Sequence, residues 1–229
     1  MATFDFKDWQ SQVSEQFSDV ANNSGWVVSL LSELERLFLT AETLIEHHEE
    51  GDRSFLACRA GCQDCCVVNV SITLLEGIAI SHFIQRWEQT GRAEVEQKLE
   101  TLWCAVRGLE DDERLMLRKK CAFLDEQGCC TIYPVRPLYC RSISSTDVEA
   151  CRAAVTGEIF GETEPVMMHQ FQLQLYKTAF SGVADGLKRA GLDGRSFQLC
   201  GLVRYLLAHP ARDEEFLSEA TLNWNDLYP

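Results

Sequence analysis

The sequence predicts an all-α, mainly helical protein with an irregular, cysteine-rich lobe set into it. Three observations carry this expectation. Apolar residues recur at helical spacing on both sides of the chain's middle. Cysteines crowd into two blocks between those helices, the second of them broken by Gly and Pro. No internal repeat, low-complexity run or linker divides the 229 residues, so one helical domain spanning 1–229, with its cysteine-rich region at 58–151, is the economical reading.

The elements follow in order. Residues 4–22 place Phe4, Phe6, Trp9, Val13 and Phe17 at roughly helical spacing, and Asn22-Asn23-Ser24-Gly25 breaks the pattern. From Trp26 to about His48, Val27, Leu30, Leu31, Leu34, Leu37, Phe38, Leu44 and Ile45 form one stripe, ended by Gly51-Asp52-Arg53. After the first cysteine block, Thr73 and Glu76 have capping-box spacing and open a helix through Trp87 to Gly91. A further helix fits 92–107, and 110–120 reads as a charged, solvated helix end. Residues 121–141 contain β-formers and two prolines and read as irregular, with a short hairpin. Thr146 and Glu149 again have capping-box spacing, which places Cys151 in the first turns of a short helix. Helices then fit 165–190, 196–208 and 213–220.

Composition narrows the classes of function. The net charge of −14 argues against nucleic acid and against an anionic membrane surface, because both partners need a basic face. A basic protein or peptide remains compatible with it. The N-terminus lacks the basic start and apolar run of a secretory signal, and no stretch has the roughly 18 apolar residues of a membrane span. The expectation is a soluble, cytoplasmic protein. There, clustered cysteines bind metal or do redox chemistry more often than they form disulfides, and an odd total of 11 fits a disulfide framework poorly.

The cysteine blocks carry the chemistry. The first is Cys58-x3-Cys62-x2-Cys65-Cys66. The second supplies Cys121, Cys130 and Cys140, with Cys151 shortly after. Loop cysteines two to four residues apart suit metal, because a tight turn lets neighbouring thiolates converge on one centre at about 2.3 Å. The adjacent pair Cys65-Cys66 points its side chains apart and would serve different metal atoms, of one cluster or of two sites. Eight thiolates are enough for two four-cysteine sites or one larger iron–sulfur assembly. Without metal their like charges would keep most of them protonated. Cys104 and Cys200 sit among apolar neighbours and read as small buried hydrophobes, while Cys129 beside Cys130 is ambiguous.

The pattern Cys-x3-Cys-x2-Cys-Cys, then Cys-x-Phe-Leu, then Gly-x-Cys-x-Ile-Tyr-x-x-Arg-Pro-x-x-Cys-Arg resembles the YkgJ-like or CxxCxxCC family of zinc- or iron-chelating domains. The helix start Val70-x-x-Thr73-x-x-Glu76 belongs to the same resemblance, which spans about residues 58–151. It implies that Cys58, Cys62, Cys65, Cys66, Cys121, Cys130 and Cys140 are the family cysteines, with Cys151 an eighth. The first gap is one residue longer than the family's short name implies, and Cys129 is extra. A similar block in flagellin lysine methylases implies an iron–sulfur possibility.

Other residues of the blocks divide between chemistry and structure. Arg136 and Arg141 flank Cys140 and are candidates to hydrogen-bond cluster sulfur or to hold an anionic substrate, with an ion pair as the plainer alternative. Pro134 and Pro137 are expected to fix the turn that aims Cys140, and Tyr133 and Tyr139 to pack in the core. His47 and His48 read as a solvated helix end. No nucleotide-binding glycine motif is present, and no catalytic residue is assigned. The spacing of Cys58, Cys62 and Cys65 also occurs in radical S-adenosylmethionine enzymes, but the barrel-sized βα repeat is missing. Three readings compete: an iron–sulfur protein for redox or cluster-dependent chemistry, on a protein or peptide for instance; a zinc-stabilised interaction module; and a metal chaperone or store. Ligand softness and crowding favour iron–sulfur.

Overall fold

A computed structural model describes residues 4–22, 25–48, 53–160 and 165–219, with Leu222 and Leu227. The chain is mainly helical. Among the described residues are ten α-helices, one 3-10 turn and a two-stranded sheet. The elements are α1 (Phe6–Ala21), α2 (Trp26–His48), β1 (Ser71–Thr73), α3 (Leu74–Gln85), α4 (Gln89–Val106), α5 (Asp111–Leu117), α6 (Leu138–Ser142), α7 (Val148–Phe160), α8 (Gln170–Arg189), β2 (Ser196–Gln198), α9 (Leu199–Ala208) and α10 (Asp213–Glu219). None of these helices is long and apolar enough to cross a membrane.

The apolar stripes do what their periodicity implies. Trp9, Val13 and Phe17 bury one face of α1, and Leu30, Leu34, Leu37, Ala41 and Ile45 bury one face of α2. Asp5 caps α1 by accepting the N–H groups of Lys7 at 2.9 Å and Asp8 at 3.1 Å. Helix α8 lies directly against α1. A Cβ at Gly186 would stand 2.6 Å from the Ser14 carbonyl oxygen, and one at Gly182 would stand 2.9 Å from that of Gln10. The two glycines let the backbones touch.

The sheet was not legible beforehand. β1 pairs antiparallel with β2, with Ile72 opposite Phe197, and each strand runs straight into a helix. Residues 196–198, expected as the start of a helix, are therefore strand, and α9 begins at Leu199. α9 in turn packs on α3, where Gly77 faces Leu202, and on α4, where Gly201 faces Trp103.

Several boundaries differ from expectation. α3 ends at Gln85, and Gly91 lies inside the first turn of α4 rather than terminating α3. α8 begins at Gln170, four residues past the apolar Val166, with the His169 ring accepting the Gln172 N–H at 2.9 Å. Glu149 is capped by the Asp147 carboxylate at 2.8 Å, not by Thr146. The expected breaks at Asn23-Ser24 and Gly51-Asp52 lie outside the described residues.

Candidate metal centre

Short turns build the first cysteine block. Cys62 donates its N–H to the Arg59 carbonyl and Cys66 donates to that of Gln63, both at 3.0 Å. Gly61 turns the chain with φ +83°, and its Cα faces the Gln127 carbonyl of the second block. The block is anchored at both ends. Ala57 donates to the Ser145 carbonyl at 2.8 Å, and the Cys66 carbonyl accepts the Cys121 N–H at 2.8 Å. The two blocks are thus one lobe, although 54 residues separate Cys66 from Cys121 in the sequence numbering.

The second block opens as the expected small hairpin. Leu124 bridges Cys130, Thr131 donates to the Phe123 carbonyl at 2.8 Å, and the Asp125 carboxylate closes the turn by accepting from Gln127 and Cys129. Cys129 thereby serves the hairpin through its backbone. Pro134 lies in the 3-10 turn and Pro137 caps α6, which carries Cys140 in its first turn. That is the aiming role expected of the two prolines.

Electrostatics divides the thiols into two neighbouring groups. Burial raises the pKa of the Cys58 thiol, the Ser145 N–H opposes it, and Cys62, Cys65 and Cys151 raise it further. Cys151 responds to Cys65 and Cys62 in turn. Burial pushes Cys121 up to about 12, with Cys140 and Cys130 adding to the rise. Cys140 is also pushed up to about 12 by burial, against the pull of the Arg136 guanidinium. Cys65 lies at the junction. A hydrogen bond with Cys66 raises its pKa first, burial second, and its charge is felt at Cys58, Cys151 and Cys140.

The surroundings suit thiolates. Cys121 Sγ accepts the Phe123 N–H and Cys130 Sγ accepts the Ile132 N–H, two residues on in each case, while Cys58 Sγ accepts that of Ser145. Such N–H donors stabilise sulfur-borne negative charge. Arg136 is a half-buried cation whose field reaches Cys140, Cys65 and Cys130. Arg141 spends its donors elsewhere. It binds the carbonyls of Arg136 at 2.7 Å, Pro134 at 2.9 Å and Tyr133 at 3.3 Å, pairs with Glu42, and stacks 4.2 Å from the Phe38 ring. Burial raises the pKa of Cys130, and the Arg141 charge, with that of Arg136, opposes the rise. Among the described residues, no three His, Cys, Asp or Glu side chains stand together as a set ready to hold a metal ion. The donor chemistry fits a thiophilic metal all the same: soft sulfurs in two groups, N–H donors aimed at them and a half-buried cation.

The remaining candidates divide. Cys200 is buried as expected, with its Sγ 4.0 Å from the buried Arg114 guanidinium. Cys104 is exposed beside Glu100 rather than buried, because α4 turns that edge to solvent. Tyr139 packs on Phe180 with ring centroids 4.4 Å apart, but Tyr133 is 60% exposed and lies under Arg136, which corrects the expectation of core packing. His48 stacks on Phe171 at 3.8 Å. Sequence reasoning passed over Ser145. Its buried backbone and hydroxyl reach Cys58 and Cys151 together, and a run of small hydroxyl residues was its sole signal.

Residues 57–162 match the family model described as "CxxCxxCC: Putative zinc- or iron-chelating domain". That stretch is similar to the family's domain, and metal binding is the property the match supports. No curated protein matches the chain. No solved structure matches it either.

Proposed function

We propose that the chain holds an iron–sulfur centre through Cys58, Cys62, Cys65, Cys66, Cys121, Cys130, Cys140 and Cys151. One observation carries the reading. Cys65 bridges the two thiol groups, sharing a hydrogen bond with Cys66 and its field with Cys58, Cys151 and Cys140. A junction of adjacent sulfurs suits a compact, many-sulfur assembly better than isolated ions. When bound, a cluster supplies one-electron redox capacity or an open iron for substrate. The chain's own residues would hold the sulfurs, donate N–H groups to them from Phe123, Ile132 and Ser145, and offset negative charge with Arg136. Redox or cluster-dependent chemistry, on a protein or peptide partner in the cytoplasm, is the role this reading assigns.

The division of the thiols favours a second reading. Cys58, Cys62, Cys65 and Cys151 form one group and Cys121, Cys130 and Cys140 another, and Cys66, whose carbonyl holds the Cys121 N–H, would complete the second to four. Two groups of four thiols suit two tetrahedral zinc ions in a structural or interaction module. Anaerobic purification separates the readings. A brown protein with broad visible absorption and acid-labile sulfide is expected. A colourless protein with two equivalents of zinc by elemental analysis overturns the iron–sulfur reading.

A further inference from the structure

One cleft beside the lobe is lined with charge opposite to that of the protein as a whole. Beside the first cysteine block lies an open cleft of about 620 Å³ between the 59–64 turn, the end of α5 and the exposed side of α7. Its walls include four cations, Arg59, Arg118, Lys120 and Arg152, and one carboxylate, Asp64. The chain as a whole has a net charge of −14. A cleft lined mainly by one sign of charge concentrates ions of the other sign, and here it does so against the background of the whole molecule.

The cations are arranged for a ligand rather than for one another's carboxylates. Arg118 donates to Thr156 Oγ1 at 2.9 Å, and Lys120 donates to Gln63 Oε1 at 2.6 Å; both of these partners are neutral. Arg152 is paired among the described residues, with Asp64 at 3.1 Å and Glu149 at 2.6 Å. Arg118 caps α5 in the left-handed region, with φ +49°, which is uncommon for a residue with a side chain. That backbone turn brings its guanidinium across to α7. Cys62 is also in the wall, with its Sγ 3.9 Å from the Asp64 carboxylate, so the cleft opens onto the cysteine lobe.

We infer that this cleft binds a small anion carrying phosphate or carboxylate groups, held by Arg118 and Lys120 at the mouth of the cysteine lobe. The volume lies within the range of small-molecule sites, and an arginine with a lysine matches the oxygens of either group. The inference rests on the proposed metal centre only in that metal is expected to order the 58–66 turn.

The test is calorimetric titration of the metal-loaded full chain with inorganic phosphate and, separately, with succinate. Neither strips metal as stronger chelators would. Metal content is measured on the same samples, so that loss of the centre and loss of the anion site are told apart. Saturable binding of at least one probe is expected, weakening as sodium chloride is raised. The double variant Arg118→Gln/Lys120→Gln should bind at least ten-fold more weakly at unchanged metal content and unchanged far-UV spectrum. Lys177→Gln, an exposed change on α8, should bind as the parent does. Binding of neither probe, or equal binding by parent and double variant, overturns the proposal. Preference for an acidic peptide such as oligoglutamate, with no small-anion binding, overturns it in favour of a peptide site.

Discussion

The Glu76 carboxylate accepts the Leu138 backbone N–H at 2.8 Å, joining the start of α3 to the start of the helix that carries Cys140. Its other oxygen accepts the Thr73 N–H at 2.7 Å and hydroxyl at 3.0 Å, completing the capping box. Glu76 is 1% exposed. One side chain thereby fixes the orientation of Cys140 relative to the sheet.

Glu76→Ala should therefore do more than uncap a helix. It leaves the Thr73 and Leu138 N–H groups buried without an acceptor, each costing about 1–3 kcal/mol. Denaturant unfolding should show a lower midpoint, and hydrogen exchange should quicken at 138–142. Because Cys140 rides on that segment, metal retention should fall as well. Full metal retention with quickened exchange at α3 alone would mean that Glu76 only caps.

The thiols make metal uptake depend on pH. Burial pushes Cys121 and Cys140 up to about 12, so near neutrality both carry protons in the metal-free chain. A metal ion must displace those protons. Uptake should release protons, measurable in weak buffer, and apparent affinity should rise from about pH 6 to about pH 9. The metal-free fold responds in the opposite direction. Folded values above the ordinary 9.0 contribute stability that is whole below that value and lost as pH rises towards about 12. The metal-free chain should accordingly weaken in mild alkali, and the loaded chain should resist.

Much of this was legible in the sequence because it is local. The capping box at Thr73 and Glu76, the hairpin around Asp125 and the aiming prolines all follow from residue types a few positions apart. What lay hidden is long-range. Ser71–Thr73 and Ser196–Gln198 are too short to show an alternating period, and each is followed at once by a helical stripe that masks it. The Glu76 bond to Leu138 spans 62 residues, and no local pattern announces it. The cysteine spacing marked the lobe as metal-binding, but the placement of Cys65 between two groups of thiols needed coordinates.

The cysteines should not behave alike under substitution. Cys140→Ala removes a half-buried sulfur that shares its field with Cys130 and Cys65, and metal content should drop. Cys104→Ala alters an exposed position beside Glu100 and should leave metal content and stability unchanged. Cys200→Ala should lower stability by about 1 kcal/mol through lost packing, with metal content intact, although Cys121 feels its charge. Loss of metal in Cys200→Ala would enlarge the ligand set to include α9.

The last prediction concerns how the lobe and the helices depend on each other. Turns, a small hairpin and the five-residue α6 support the cysteines, with little apolar burial in the first block. The α1–α8 contact, in contrast, is backbone against backbone through Gly182 and Gly186. Metal removal under reducing conditions should thus speed hydrogen exchange at 58–66 and 121–151 while α1, α2 and α8 stay protected and far-UV helicity persists. Gly186→Ala tests the converse. Its Cβ would press on the Ser14 carbonyl and Phe17, at a cost of about 1–3 kcal/mol, loosening α1 and α8 without changing bound metal. If chelation unfolded the whole chain instead, the helices would have no core of their own, and the metal would be what holds them together.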